Sequence, residues 1–261
     1  MAAMATDADA HRVWGQLSDI NPGRRIIPVT YVNSTAEIKA FVGRMGGVCC
    51  TSGNADAVLN WALSNGDQVL FLPDQHLGYN TATGLGIEPD RIAVFDHRAI
   101  DDTPDDSALR RARVILWQGH CLLHQLFTTD DIRRARTADP TATIIVHPEC
   151  SREVVALSDM TGSTAKIMRV IESSAPGSSW VVGTEANMVA RLAARQASRG
   201  VRVASLSAHP RPCVTMQLTT APHLLYVLDQ LATGNIPNRI RVAPDIRRDA
   251  RVALERMLEL G

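Results

Sequence analysis

A chain of 261 residues, 45% of them hydrophobic and 21% charged, can bury the core of one large or two ordinary domains. Its 27 basic residues balance 27 acidic ones, which excludes a disordered acidic chain and argues against nucleic acid, a partner that selects a basic face. No apolar run approaches the roughly 20 residues of a bilayer span, and the opening MAAMATDADAHR lacks the plan of a signal peptide, so a cytoplasmic protein acting on small molecules is expected.

Short β-branched runs alternate with amphipathic stretches, the pattern of parallel βαβ units covered by helices. Strands are expected at 25–32, 48–52, 68–72, 113–117, 143–147, 180–183 and 201–206, and helices at 35–44, 54–63, 129–135, 152–159, 164–173, 187–199, 221–232 and 245–260. Several of these helices begin at Ser, Thr, Asp or Asn, the residues that cap free backbone N–H groups. Segment 88–106, with its acidic DDTPDD run, is expected as an exposed insertion outside the chemistry.

The order of motifs repeats. A first pass runs from Tyr31-Val32-Asn33 through Thr51-Ser52 and FLPD to Gly119-His120-Cys121, and a second from His147-Pro148-Glu149 through Gly162-Ser163-Thr164 and VVGTE to Cys213. Tyr31 and Ser52 lie 21 positions apart, His147 and Thr164 17, and the two terminal cysteines 92. Polar clusters at matching strand ends are where open parallel sheets place ligands. Five cysteines at irregular spacing are not a disulfide framework. Cys49, Cys50 and Cys150 are expected to be structural, His76, His97 and His209 to lie in polar loops, and no chemistry is assigned to His120 or His124.

Taken together, VTYVNSTAEIKA (29–40), CTSGNA (50–55), FLPDQHLG (71–78), WQGHCLLH (117–124), IIVHPEC (144–150), MTGSTAKI (160–167), VVGTE (181–185) and PCVTM around Cys213 resemble the quinolinate synthases of NAD biosynthesis. The resemblance spans residues 25 to 231. It implies an α/β fold of pseudo-symmetric three-layer αβα domains with parallel sheets, two of the family's three repeats being present. The expected division is 1–24 as an N-terminal remnant, 25–127 as the repeat ending at Cys121, and 128–261 as the repeat carrying HPE, GST and Cys213 together with the C-terminal helices.

The resemblance further implies condensation of iminosuccinate with dihydroxyacetone phosphate to quinolinate, with a [4Fe-4S] cluster as Lewis acid. Cys121 and Cys213 would be two of its ligands. The third, in an AGCSLAD-like segment, has no counterpart in these residues, so a missing N-terminal domain or separate chain is expected as partner. Tyr31, His147 and Glu149 would be catalytic, and Tyr31, Asn33, Ser52, His147, Pro148, Glu149 and Thr164 would bind substrate. His147 and Glu149, two apart in an extended segment, point to one side and can share a proton. Thr164 opens a helix, where backbone N–H groups favour an anion.

Two other readings stay open. A non-catalytic relative would bind a dicarboxylate without turning it over. A zinc hydrolase is suggested by His147-x-Glu149 followed by Pro212-Cys213, an echo of the zinc deaminase signature, although Met216 stands where that pattern needs its last cysteine.

Overall fold

In the computed structural model, which describes residues 1–99, 106–209 and 212–261, every paired strand runs parallel to its neighbour. The chain opens with α1 (Asp7–Ile20), β1 (Ile26–Tyr31), α2 (Ala36–Arg44), β2 (Val48–Cys50), α3 (Ala55–Asn65), β3 (Gln68–Leu72), α4 (Gln75–Gly84), β4 (Ile92–Phe95), α5 (Asp106–Arg111) and β5 (Val114–Trp117). There follow α6 (Thr129–Ala138), β6 (Thr143–Val146), α7 (Arg152–Leu157), β7 (Met160–Thr161), α8 (Thr164–Glu172), β8 (Ser179–Gly183), α9 (Ala186–Gln196), β9 (Arg202–Ser205), α10 (Ala221–Ala232) and α11 (Pro244–Leu260).

The first sheet has the order β2-β1-β3-β5-β4 and the second β7-β6-β8-β9. Without β4, the two orders coincide strand for strand, so the repeat in the sequence is a repeat in topology. Each sheet is covered on both faces. In the first, Val13, Leu17, Phe41 and Ala253 pack on one side against Leu72 and Trp117, while Val58, Leu59 and Leu77 pack on the other against Val29 and Phe71. In the second, Ile132 and Val154 meet Ile144 and Val146, and Ile167, Ile171 and Leu192 meet Ile145 and Val182. These are the three αβα layers, with strands buried on both faces and therefore apolar throughout.

Several expectations are corrected. Segment 88–106 is no exposed insertion: within it β4 pairs with β5 as the sheet's edge strand and buries Ala93 and Phe95, while residues 100–105, most of the DDTPDD run, lie outside the described residues. The first 24 residues contain α1, capped by Thr6 and buried along Ala10, Val13, Leu17 and Ile20, so they complete the first core. The C-terminal helix α11 does not stay with the second sheet; it crosses back onto α2 so closely that a Cβ on Gly43 would come within 2.0 Å of Asp249 O. His76 lies in α4, and His97 is buried and stacked on Trp117 at 4.2 Å. Cys49, Cys50 and Cys150 are fully buried, in keeping with structural roles.

Candidate active site

Loops leaving the C-terminal ends of both sheets build the site, the position at which parallel sheets place ligands. Asp74, after β3, is fully buried and caps α4. Its Oδ1 accepts from Leu77 N at 2.8 Å and its Oδ2 from Cys121 N at 2.9 Å, fixing the loop that carries Cys121. Gly119 lets that loop approach, since a Cβ there would lie 2.2 Å from Pro73 O.

The same half of the molecule pins the buried His147-Pro148-Glu149 segment after β6. Asn80 Nδ2 donates to Pro148 O and Cys150 O, both at 2.9 Å, and Gln125 Nε2 donates to Glu149 O at 2.9 Å. Near the ends of β2 and β7 the halves meet again: a Cβ on Gly53 would lie 3.5 Å from Ser163 Oγ.

Glu149 is the hub. Its Oε2 lies 2.7 Å from His124 Nδ1 and 3.4 Å from His147 Nδ1, and the two imidazoles stack with centroids 4.3 Å apart and planes 9° from parallel. His124 Nε2 lies 3.3 Å from Thr184 Oγ1, and His147 Nδ1 accepts from Glu149 N at 3.3 Å, which leaves the His147 proton on Nε2. The other oxygen, Oε1 of Glu149, is buried with no hydrogen-bond partner among the described residues. Tyr31, buried at the end of β1, has Ser52 beside its hydroxyl and Glu149 within electrostatic reach.

Burial, reinforced by the neighbouring His124, pushes the His147 imidazole down to about 3, so it is neutral near pH 7. Burial also tends to raise the Glu149 carboxyl, but His124 and His147 outweigh it and hold Glu149 below the ordinary range, ionised. Asp74 is raised to about 7, chiefly by burial and then by Glu149. Burial and Glu149 likewise raise the Tyr31 phenol far above its usual range, keeping it a neutral donor. They raise the Cys121 thiol to about 12. An ionised carboxylate, a neutral phenol and a neutral imidazole in one place can accept and donate protons in succession.

One atom each from Cys121, His124 and Glu149 lies within 4.8 Å of the others, a sulfur, nitrogen and oxygen set able to hold a metal ion. Cys213 is not in that group. It is half-exposed, its Sγ 3.1 Å from Thr215 Oγ1, and the Thr215 hydroxyl with the N–H groups of Met216 and Thr215 outweighs burial to lower the thiol. The zinc pattern of His147, Glu149 and Cys213 therefore does not assemble among the described residues. Asn33 is exposed two residues beyond Tyr31, and Thr164 is exposed next to Ser163, which rather than Thr164 caps α8. Sequence reasoning missed His124, Asp74, Asn80 and Gln125. His124 carried one signal, its position three residues after Cys121.

A family model described as quinolinate synthetase A protein matches residues 1–259. The quinolinate synthase of Bacillus licheniformis is 46% identical over 260 residues, which cover all of this chain and 69% of that protein. Those of Bacillus subtilis and Streptomyces coelicolor are 47% and 42% identical, with 70% and 66% of their lengths covered. A match of this extent, on a chain whose two halves repeat one sheet order and meet at Glu149, has one reading: the chain belongs to the quinolinate synthase family, enzymes of NAD biosynthesis.

Proposed function

We propose that the site around Glu149 condenses iminosuccinate with dihydroxyacetone phosphate and closes the ring to quinolinate, releasing phosphate and water. The observation that carries this reading is the buried, unpartnered Oε1 of an ionised Glu149 with the neutral Tyr31 phenol in electrostatic reach. Glu149 would take the proton released as the carbon–carbon bond forms, and Tyr31 would donate a hydrogen bond to the substrate oxygen on which charge develops. His147, neutral and held by its backbone contact, would orient Glu149. Pro148 fixes the strand-end turn between them. Asn33, Ser52 and Thr164 would hold carboxylates or phosphate through neutral hydrogen bonds, Thr164 with the help of the free N–H groups at the start of α8.

The resemblance assigns Cys121 and Cys213 to a [4Fe-4S] cluster. The donor set gathered around Glu149 contains one thiol, from Cys121, beside a nitrogen and an oxygen ligand. Clusters of this kind are held by several thiolates, so these residues do not by themselves fit one, and no step is routed through it. Substrates are small molecules, and a cytoplasmic setting goes with this reading; among the described residues no helix is long and apolar enough to cross a membrane.

Calorimetric titration of the protein with quinolinate tests the proposal. Binding should be measurable, and Asn33→Ala, Ser52→Ala and Thr164→Ala should each weaken it by roughly two- to tenfold, the worth of one neutral hydrogen bond. No binding, or binding indifferent to all three substitutions, would overturn it.

A further inference from the structure

The backbone carbonyls of three consecutive buried residues, Pro148, Glu149 and Cys150, all accept hydrogen bonds from side-chain amides of the other half of the molecule. Asn80 gives both hydrogens of its amide to the two carbonyls that flank Glu149, each at 2.9 Å, and Gln125 donates to the carbonyl of Glu149 itself at 2.9 Å. A buried carbonyl needs a partner, but nothing requires that the partner come from α4 and from the loop after β5, across the repeat. His124, the neighbour of Gln125, meets the carboxylate at 2.7 Å. Glu149 is thus held by its side chain, by its own carbonyl and by the carbonyls on either side, each time from the first half. Its own half contributes the contact of Glu149 N with His147 Nδ1.

The helix that carries Asn80 is built to stay in place. Gly78 lets α4 lie directly on the first sheet: a Cβ there would come within 2.5 Å of Leu116 Cδ2 and 2.8 Å of Phe71 Cδ1. Asp74, the cap of α4, holds Cys121 N, and Asn80, six residues further on, holds the flanks of Glu149. Six residues of helix rise about 9 Å, so one rigid element seated on a sheet sets where the Cys121 loop stands relative to Glu149. Reacting groups need placement to within roughly 0.5 Å, and a misplacement of about 1 Å can cost on the order of 100-fold in rate. We propose that Asn80 and Gln125 are positioning residues of the reaction: from α4 and the loop after β5 they fix the backbone of residues 148–150 so that Glu149 Oε1 is aimed at the substrate. The inference rests on the proton-acceptor role proposed for Glu149 above and adds the residues that aim it.

The test compares Asn80→Asp, which keeps the shape of the side chain and loses its donors, with the milder Asn80→Ala and Gln125→Ala. In hydrogen exchange followed by NMR, the Glu149 amide, tied to His147 Nδ1, should exchange at least about 10-fold faster in each variant. The His147 ring should pass from a single tautomer to a mixture, while the amides of Ile145 in β6 and Val182 in β8 keep their wild-type rates. In quinolinate formation, assayed without oxygen, kcat should fall on the order of 100-fold in Asn80→Asp, with KM within about threefold, because the groups that hold substrate are untouched. Wild-type exchange and a single tautomer in Asn80→Ala, or a raised KM at unchanged kcat, would overturn the proposal. So would loss of protection throughout β6 and β8, the mark of a merely structural role. A wild type that makes no quinolinate would overturn the function proposed for Glu149, and the exchange rates and the tautomer would still decide whether Asn80 and Gln125 position it.

Discussion

His124 and Glu149 stand 25 positions apart and on different halves of the repeat, yet Nδ1 of one lies 2.7 Å from Oε2 of the other, with both side chains buried. The contact joins the loop after β5 to the end of β6. His124→Ala should leave the Glu149 charge buried with only His147 near it, costing on the order of 3–5 kcal/mol in urea unfolding. Glu149→Ala removes the carboxylate itself and should cost less. The double variant should fall short of the sum by at least about 0.5 kcal/mol, as contacting residues do. A cost below about 1 kcal/mol for His124→Ala would contradict this account of the pair.

Phe95 tests whether segment 88–106 belongs to the core. Truncating a buried phenylalanine to alanine costs roughly 3–5 kcal/mol, and Phe95→Ala is expected in that range because β4 seats it against the first sheet. An exposed insertion would tolerate the change with no shift in the unfolding midpoint.

The crossing of α11 over α2 depends on Gly43. A methyl group there would meet Asp249 O at 2.0 Å, backbone against which nothing flexible can yield. Gly43→Ala should therefore destabilise by about 1–3 kcal/mol, with Ala253 and its neighbours losing amide protection first. Wild-type stability in this variant would show that α11 does not seat on α2.

Acid should expose the buried neutral imidazole. With His147 held at about 3 against an ordinary value of 6.5, the unfolded chain takes up that proton first as pH falls, and stability is lost between about pH 6.5 and 3. Asp74, raised to about 7, works in the opposite sense between its ordinary 3.8 and 7, because there the folded state binds the extra proton. The two slopes offset each other in the wild type. The difference between wild type and His147→Gln removes the Asp74 contribution, and should move in the variant's favour by about 1.4 kcal/mol per pH unit on acidification. A pH-independent difference would mean that His147 is not buried neutral.

Much of this was legible because burial on both faces writes parallel strands as apolar runs, and the repeat in the sequence puts Tyr31, Ser52, Cys121, His147 and Glu149 at or just after strand ends. What escaped had weak local signals. Helix α4, QHLGYNTATG, carries two glycines and two threonines, and its one clear sign is the capping Asp74. Strand β4 is four residues long, in a segment whose sequence runs on into the acidic DDTPDD. Helix α1 was not among the expected helices although Ala10, Val13 and Leu17 stand at helical spacing, and its packing partner is the first sheet, a long-range fact. The contact of His124 with Glu149 and the return of α11 are tertiary relationships that no local pattern encodes.

The most direct measurement of the central claim is conversion of iminosuccinate and isotopically labelled dihydroxyacetone phosphate to labelled quinolinate, followed by mass spectrometry. It would use the protein prepared and assayed without oxygen. The account predicts labelled quinolinate from the wild type and a rate at least about 100-fold lower from Glu149→Gln, the loss expected when a proton acceptor becomes an amide. Wild-type turnover by Glu149→Gln, or no quinolinate from the wild-type protein, would contradict it.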